Sequence, residues 1–196
     1  MEFTAGNVLE KGDTQVEEII GLAGRRAENF YDAHRLCCSE AVMLVLNQAF
    51  GGTLSPEMAI SLGAGFCGGM RAGCLCGALS GAVMGLGQFL APNQPNGLSK
   101  KRFGEVNKNI HDRFKERYGA TCCRVLSKNV KHDKKAHKKN CLRLTGGGAE
   151  LAVEILLESR PELLARADME FLKGRDSKLA GLIAKLRGKT PGGVAP

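Results

Sequence analysis

Three glycines at four-residue intervals, Gly77, Gly81 and Gly85, constrain the fold of this chain more than any other sequence feature. At that spacing they lie along one face of an α-helix and leave that face without side chains. Each glycine costs about 1 kcal/mol of helix stability relative to alanine, so a compensating contact is required. We expect either a second helix in close contact with this face or a bound group beside it.

Helical periodicity also dominates the remaining sequence. Apolar residues recur at three- and four-residue spacing in 14–36, where Thr14 and Glu17 predict a capping box. Ser55-Pro56-Glu57 is typical of a helix N-terminus, and 98–119 predicts an amphipathic helix. Further helices are predicted at 38–51, 76–91, 122–129, 141–160 and 169–188, with a basic loop at 130–140 and an interruption at 146–148.

Composition supports the same fold class. Aromatic residues make up only 5% of the chain and Trp is absent, so Leu, Ala, Val, Met and Phe must fill the core, which favours closely packed helices. No run of alternating Val, Ile or Thr predicts a strand. We therefore predict an all-α fold, a small helical bundle with a glycine-rich turn at 63–73. Residues 1–160 are expected to form a cysteine-rich redox or metal domain, and residues 161–196 a C-terminal helical extension and tail.

The first residues lack the charged and apolar segments of a secretory signal. The longest apolar run, Ala78–Ala91, is too short and too rich in glycine for a membrane helix, which needs about 20 residues. We expect a cytoplasmic protein without a membrane span.

The positive charge is concentrated in residues 100–143, which contain 15 Lys or Arg and only 4 Asp or Glu. Such a segment could bind an acidic partner, or it could be the solvated face of a helix followed by a lysine-rich loop. Nucleic-acid binding is disfavoured because the segment lacks the interleaved aromatic residues of a stacking platform.

Eight cysteines in a cytoplasmic chain indicate metal binding or redox chemistry rather than a disulfide framework. Four of them, Cys38, Cys76, Cys123 and Cys141, stand at predicted helix starts. The helix dipole and backbone N–H groups there favour a thiolate and lower the thiol pKa. The alternative is that each cysteine packs in the core as a small apolar residue.

Gly63, Gly65 and Gly68 match the G-x-G-x-x-G pattern of dinucleotide-binding loops. That pattern requires a preceding strand and a βαβ unit. The segment before it is helical in composition, so we interpret these glycines as a chain reversal between helices.

Four blocks of the sequence resemble the C_GCAxxG_C_C family of redox-active proteins, and the resemblance covers about residues 28–158. "CGALSG" at Cys76 is similar to the CGAxxG signature, "CSEAV" at Cys38 to the first-cysteine helix, "GAGFCGGM" to the glycine-rich turn and "RYGATCCRVL" to the segment around Cys123. Cys141 follows as the fourth cysteine. The resemblance implies a small helical protein with a redox or metal role. It leaves four extra thiols as secondary ligand candidates: Cys37, Cys67, Cys74 and Cys122.

Three functions are compatible with these residues. The four signature cysteines could bind an iron–sulfur cluster for electron transfer, or Cys76 could be the nucleophile of a metal-free dithiol/disulfide redox protein. A structural or trafficking zinc site is the third; His137 and Cys141 are four apart, although the many lysines nearby would repel a dication. We expect His132 and His137 to be loop histidines. Glu40 and Arg71 are the charged groups expected nearest the site, with Arg71 a candidate for substrate binding. Enzymatic activity, the redox partner and a homo-oligomeric state are left open.

Overall fold

The computed structural model of the chain describes residues 6–33 and 36–177, with side chains from residue 14 onward. Within these ranges the regular structure is helical and no strand forms, although Leu75 and Cys122 make an isolated antiparallel bridge. The predicted all-α class is therefore confirmed. The α-helices are α1 (Gly6–Ala33), α2 (Cys38–Ala49), α3 (Pro56–Ala64), α4 (Gly77–Leu90), α5 (Lys100–Tyr118), α6 (Cys123–Leu126), α7 (Lys134–Ser159) and α8 (Met169–Lys173).

The core of the bundle lies between α1, α2, α4 and α7, and α7 packs against each of the other three. Helix α2 is apolar on most of its surface, and residues 41–46 are all buried. Helix α5 is amphipathic as predicted: Ile110 and Phe114 are fully buried, and Phe103 and Val106 are partly buried against the same core. Burial of these apolar side chains is the main force holding the bundle together.

The glycine face of α4 packs against α2, as the spacing predicted. A Cβ atom on Gly77 would lie 2.3 Å from Sγ of Cys38, and one on Gly81 would lie 2.6 Å from the carbonyl oxygen of Ser39. A Cβ on Gly85 would lie 2.6 Å from the side chain of Leu46. The close approach of the two helices offsets the helix propensity that the glycines cost.

The predicted helix start at Ser55 is confirmed, and local residues also set both ends of α5. Ser55 and Ser99 cap α3 and α5 by accepting hydrogen bonds from the backbone N–H groups of Met58 and Arg102. Gly119 ends α5 with a φ of 82°, a left-handed conformation that glycine adopts without strain.

The predicted capping box at Thr14 and Glu17 is wrong. Helix α1 begins at Gly6, so Thr14 lies inside the helix and is not at its N-terminus. The physical reason lies in the preceding sequence, where Leu9, Glu10 and Lys11 are good helix formers that extend the helix upstream.

The predicted basic loop at 130–140 is only partly correct. Helix α7 begins at Lys134, because the Asp133 carboxylate accepts hydrogen bonds from the N–H groups of Lys135 and Ala136. Cys141 therefore lies in the second turn of α7 and does not open a helix. The glycines at 146–148 do not interrupt α7 either; all three are buried, beside Glu28, Tyr118 and Ala78.

After α7 the chain forms a short 3₁₀ turn at Pro161–Arg166 and then α8. Leu163 and Leu172 from these elements are buried in the same core as the rest of the bundle. The division into residues 1–160 and 161–196 stays a prediction, and most of the last predicted amphipathic helix lies outside the described residues. No helix of the described ranges is long and apolar enough to cross a membrane.

Candidate functional site

One cavity of about 430 Å³ lies where α2 and α4 begin, beside α6 and the first turns of α7. Its wall includes Cys38, Cys76, Cys123 and Cys141, the four cysteines predicted as primary ligands. We call these four residues the cavity thiols. They come from four different elements, so only the tertiary fold brings them together.

Three of the cavity thiols lie at helix N-termini, as predicted; one of them, Cys123, is the first residue of α6. Cys38 is the first residue of α2, and Cys76 is the residue that precedes α4. The backbone N–H groups of Ala78 and Leu79, in the first turn of α4, act to lower the Cys76 pKa. This is the N-terminal arrangement that stabilises an anion.

The predicted lowering of the thiol pKa at these positions is wrong. Burial raises the pKa of Cys76 to about 12, and the neighbouring Cys38 and Cys123 add to the effect. Burial likewise raises the pKa of Cys38 to about 11, with repulsion from Cys141 as the next cause. The helix N–H groups act in the opposite direction, but they are outweighed by the cost of removing a thiolate from water.

Cys123 is held against the glycine-rich turn. Its N–H donates to the carbonyl of Cys74, and the N–H of Cys76 donates to the carbonyl of Thr121 at 2.8 Å. A Cβ on Gly69 would lie 2.9 Å from Cβ of Cys123, so only glycine fits at this contact. These contacts fix α6 beside the chain that leads into α4.

Cys141 has two polar neighbours that the sequence did not assign to the site. The Tyr31 hydroxyl lies beside its sulfur in the cavity wall and opposes the rise that burial causes in the Cys141 pKa, and burial of the hydroxyl raises the Tyr31 pKa. Nε2 of His137 lies 3.8 Å from the same sulfur. His137 was expected in a loop; it lies in α7, one turn before Cys141, because the helix starts earlier than predicted. Nothing near Tyr31 in the sequence indicates its role, which depends on how α1 packs on α7.

The secondary cysteines divide into two groups. Cys37 and Cys67 are joined in a disulfide, whereas we had expected no structural disulfide. Their separation of 30 residues gives no local signal for the bond. Cys74 is exposed and Cys122 hydrogen-bonds to the carbonyl of Gly73, and neither lines the cavity.

The glycine-rich turn forms one wall of the cavity. Gly63 belongs to α3, and the turn proper runs from 65 to 73. Gly68, Gly69 and Gly73 have positive φ, and so do the non-glycine residues Met70 (φ 58°) and Arg71 (φ 56°). The pattern is thus a chain reversal between helices, as predicted, and no sheet exists in the described residues to support a nucleotide loop.

The mouth of the cavity is positively charged. Arg71, from the turn, and Arg124, from α6, are exposed and line it together with His137. No Asp or Glu is among the residues that line this cavity. Arg124 also donates to the carbonyl of Ala72 at 2.8 Å, which ties α6 to the turn.

Glu40 lies beside the disulfide. Its Oε2 accepts a hydrogen bond from the N–H of Cys37 at 2.6 Å. One of its carboxylate oxygens and the sulfurs of Cys37 and Cys67 all lie within 4.8 Å of one another. The carboxylate that we expected near the site therefore faces the disulfide.

Comparison with known proteins agrees with the sequence motifs. A family model described as "Putative redox-active protein (C_GCAxxG_C_C)" matches residues 36–155, more than half of the chain. No curated protein and no solved structure matches the chain. The matched range includes every cavity thiol, the glycine-rich turn and both disulfide cysteines, but not Tyr31. The chain therefore belongs to the C_GCAxxG_C_C family of redox-active proteins.

Proposed function

We propose that this chain is an electron-transfer protein in which the four cavity thiols bind an iron–sulfur cluster. The observation that carries the proposal is the convergence of Cys38, Cys76, Cys123 and Cys141 on one cavity of about 430 Å³. All-thiolate ligation is the commonest way in which proteins hold such clusters. A bound cluster would supply one-electron redox chemistry.

The electrostatics of the cavity thiols support a bound cation. Burial and mutual repulsion raise the thiol pKa values of Cys38, Cys76 and Cys141. Four thiolates so placed would repel one another in a poorly hydrated site unless positive charge lay between them. Metal coordination deprotonates thiols and compensates their charge, so it would remove the cost that the fold otherwise imposes.

The spacing of the cavity thiols favours a multinuclear group over a single zinc ion. Four thiolates bound to one zinc at about 2.3 Å lie roughly 3.8 Å from one another. Among the described residues, the one group of three or more ligand atoms within 4.8 Å of each other is Cys37, Glu40 and Cys67. No three cavity thiols are that close, which fits ligands at the corners of a larger group.

A metal-free dithiol mechanism with Cys76 as nucleophile has weaker support. The attacking species in thiol–disulfide exchange is the thiolate. Because burial raises the pKa of Cys76 to about 12, that thiolate would be scarce at neutral pH.

The charge around the cavity supports an acidic electron partner. Arg71 and Arg124 stand at the mouth without a lining carboxylate, and residues 100–143 carry 15 Lys or Arg against 4 Asp or Glu. Complementary charge steers association and makes its rate fall with salt. We propose that the partner docks at this mouth. The cytoplasmic location of the protein itself stays a prediction.

Metal analysis of anaerobically purified protein tests the cluster. We expect iron and acid-labile sulfide together with visible absorption, and the loss of all three in Cys76→Ser and Cys123→Ser variants. Cys74→Ser is the matched control, because Cys74 is exposed and outside the cavity. Colourless, iron-free protein from cells that assemble clusters would contradict the proposal, and stoichiometric zinc would favour the zinc alternative.

A further inference from the structure

The Cys37–Cys67 disulfide joins two parts of the cavity wall. Cys37 lines the cavity and directly precedes the cavity thiol Cys38, while Cys67 lies in the glycine-rich turn. Their Cα atoms are 5.6 Å apart, and both residues are partly exposed. A reductant in solution can therefore reach this disulfide, whereas it could not reach a disulfide buried in the protein core.

The α2 end of the bond is firmly held. Glu40 accepts the Cys37 N–H at 2.6 Å, and the buried Ser39 hydroxyl donates to the carbonyl of Gly63 at 2.7 Å. If the disulfide opens, these hydrogen bonds keep the start of α2 in place. Any movement must then occur on the Cys67 side, in the turn.

Backbone strain in the glycine-rich turn favours its movement once an attachment is lost. Met70 and Arg71 are left-handed, a conformation that costs an L-residue about 1–2 kcal/mol. Attachments elsewhere must hold them there. One attachment is the N–H of Arg71, which donates to the carbonyl of Cys67 at 3.0 Å. The disulfide anchors Cys67 itself.

The turn also contacts the cavity thiols. Gly68 lines the cavity together with Cys38, and Gly69 packs on Cβ of Cys123. A displacement of the turn away from Cys38 would therefore widen the opening beside the cavity thiols.

We propose that Cys37 and Cys67 form a second redox centre, a reversible two-electron dithiol/disulfide couple that exchanges with thiols and controls access to the cavity. Oxidised, it clamps the turn against the start of α2 and Cys38; reduced, it leaves the turn held through its hydrogen bonds to α6, so that the turn can move away from Cys38. The couple works in the same way whatever group the cavity holds.

The exchange balances with a dithiol reductant. One thiolate of the reductant attacks a sulfur of the Cys37–Cys67 bond, forms a mixed disulfide and releases the other cysteine as a thiolate that takes up a proton. The second thiolate of the reductant then attacks the reductant's first sulfur, which is bonded to the protein cysteine in the mixed disulfide. This closes the reductant's disulfide and releases the second cysteine, so two electrons and two protons pass to the pair.

Pulse alkylation of the metal-free, full-length chain tests the couple independently of iron binding. Oxidised protein is compared with protein treated with a dithiol reductant that is then removed, and labelled peptides are quantified by mass spectrometry. We expect Cys37 and Cys67 to be labelled only after reduction. Cys76 and Cys123 should be labelled about tenfold faster after it, a change equivalent to about 1.4 kcal/mol less free energy to open the turn.

Two variants sharpen the test. In the Cys67→Ser variant, Cys76 should be alkylated at the faster rate without any reductant. In Cys74→Ser, the alkylation rates should equal those of the unaltered chain in both redox states. Far-ultraviolet circular dichroism checks that each variant is folded. If Cys67→Ser does not fold, the comparison of the oxidised and reduced unaltered chain still tests the proposal. Labelling of Cys37 and Cys67 in oxidised protein, or equal Cys76 rates in both states, would overturn the proposal.

Discussion

The sulfur of Cys38 occupies the position that a side chain on residue 77 would need: a Cβ on Gly77 would lie 2.3 Å from it. A Gly77→Ala change must therefore push the Cys38 sulfur out of the cavity wall. We expect a loss of metal affinity of about 10- to 100-fold, the range found when a ligand's supporting contacts are removed. Iron and sulfide content per chain measures it. Gly87→Ala, on the same helix with only Phe103 near at 4.0 Å, should retain the metal.

The same helix offers an opposite pair for stability. A Cβ on Gly81 would lie 2.6 Å from the Ser39 carbonyl oxygen, which is backbone and cannot easily yield. Gly81→Ala should lower the free energy of unfolding by about 1–3 kcal/mol. Gly87→Ala has space and should raise it by up to about 1 kcal/mol through helix propensity. Urea denaturation followed by circular dichroism measures both, and changes of equal sign would refute the predicted packing of α4 on α2.

Arg26 connects α1 to the chain after α8. Its guanidinium is buried, pairs with Asp176 at 3.0 Å and donates to the carbonyl of Gly174 at 3.0 Å. Arg26→Met should cost about 2 kcal/mol, because it removes hydrogen bonds to a charged group in a partly buried site. Arg102→Met is the control: its pair with Glu105 is exposed and should contribute less than about 0.5 kcal/mol. Urea midpoints compare the two, and equal losses would contradict the prediction.

The raised thiol pKa values predict an alkaline loss of stability in reduced, metal-free protein. In the unfolded chain these thiols ionise near 9.0, whereas in the folded chain the pKa is about 11 for Cys38 and about 12 for Cys76. The folded state thus holds protons that the unfolded state releases. The contribution of these protonated thiols to the free energy of unfolding is complete below pH 9. It is lost as the pH rises through 11 and 12, by at most about 1.4 kcal/mol per pH unit for each thiol.

Urea unfolding at several pH values between 8 and 11 measures that loss. Cys76→Ser, which cannot ionise in this range, should show a smaller fall than the unaltered chain. Cys74→Ser, which changes an exposed thiol, should leave the slope unchanged. Parallel curves for all three proteins would mean that the buried thiols do not control it.

Replacing Arg71 or Met70 by glycine distinguishes the effect of backbone strain from the effect of the Arg71 charge. Both are left-handed, so replacement by glycine should leave stability unchanged or raise it by up to about 1 kcal/mol. Arg71→Gly also removes a cation from the cavity mouth, and reduction by an anionic reductant such as dithionite should slow by about two- to tenfold at low salt. Met70→Gly should not slow it. Stopped-flow absorption gives the rates, and equal slowing in both variants would contradict a charge effect of Arg71.

Local rules predicted the elements of this fold whose causes are local. Ser55 caps α3 as predicted because a hydroxyl beside a free N–H needs no tertiary partner. The glycines of α4 also indicated a close contact correctly, since their spacing alone defines the face. The start of α7 was missed because Asp133, one acid among lysines, was not recognised as a cap.

The sequence selected cysteines that the fold brings to one cavity, whereas their role as ligands stays a prediction and their pKa direction was not predicted correctly. The family motifs selected the four cysteines that line one cavity. Their pKa direction was wrong, because burial of Cys76 is set by helices distant in sequence, and burial outweighs the local dipole. The Cys37–Cys67 bond and the contact of Tyr31 with Cys141 depend on how α1, α2 and α3 fold onto each other.

Helix α7 packs against α1, although residues 34–133 separate the two along the chain. During synthesis Cys38 and Cys76 leave the ribosome well before Cys123 and Cys141, and a domain generally folds as a unit. A nascent chain therefore holds half of the cavity thiols with no enclosed cavity around them. A cofactor held by all four cavity thiols can be fully bound only once Cys141 has emerged, whereas Cys37 and Cys67 are both available early. The order of the cysteines along the chain thus allows the disulfide to form before the ligand set is complete.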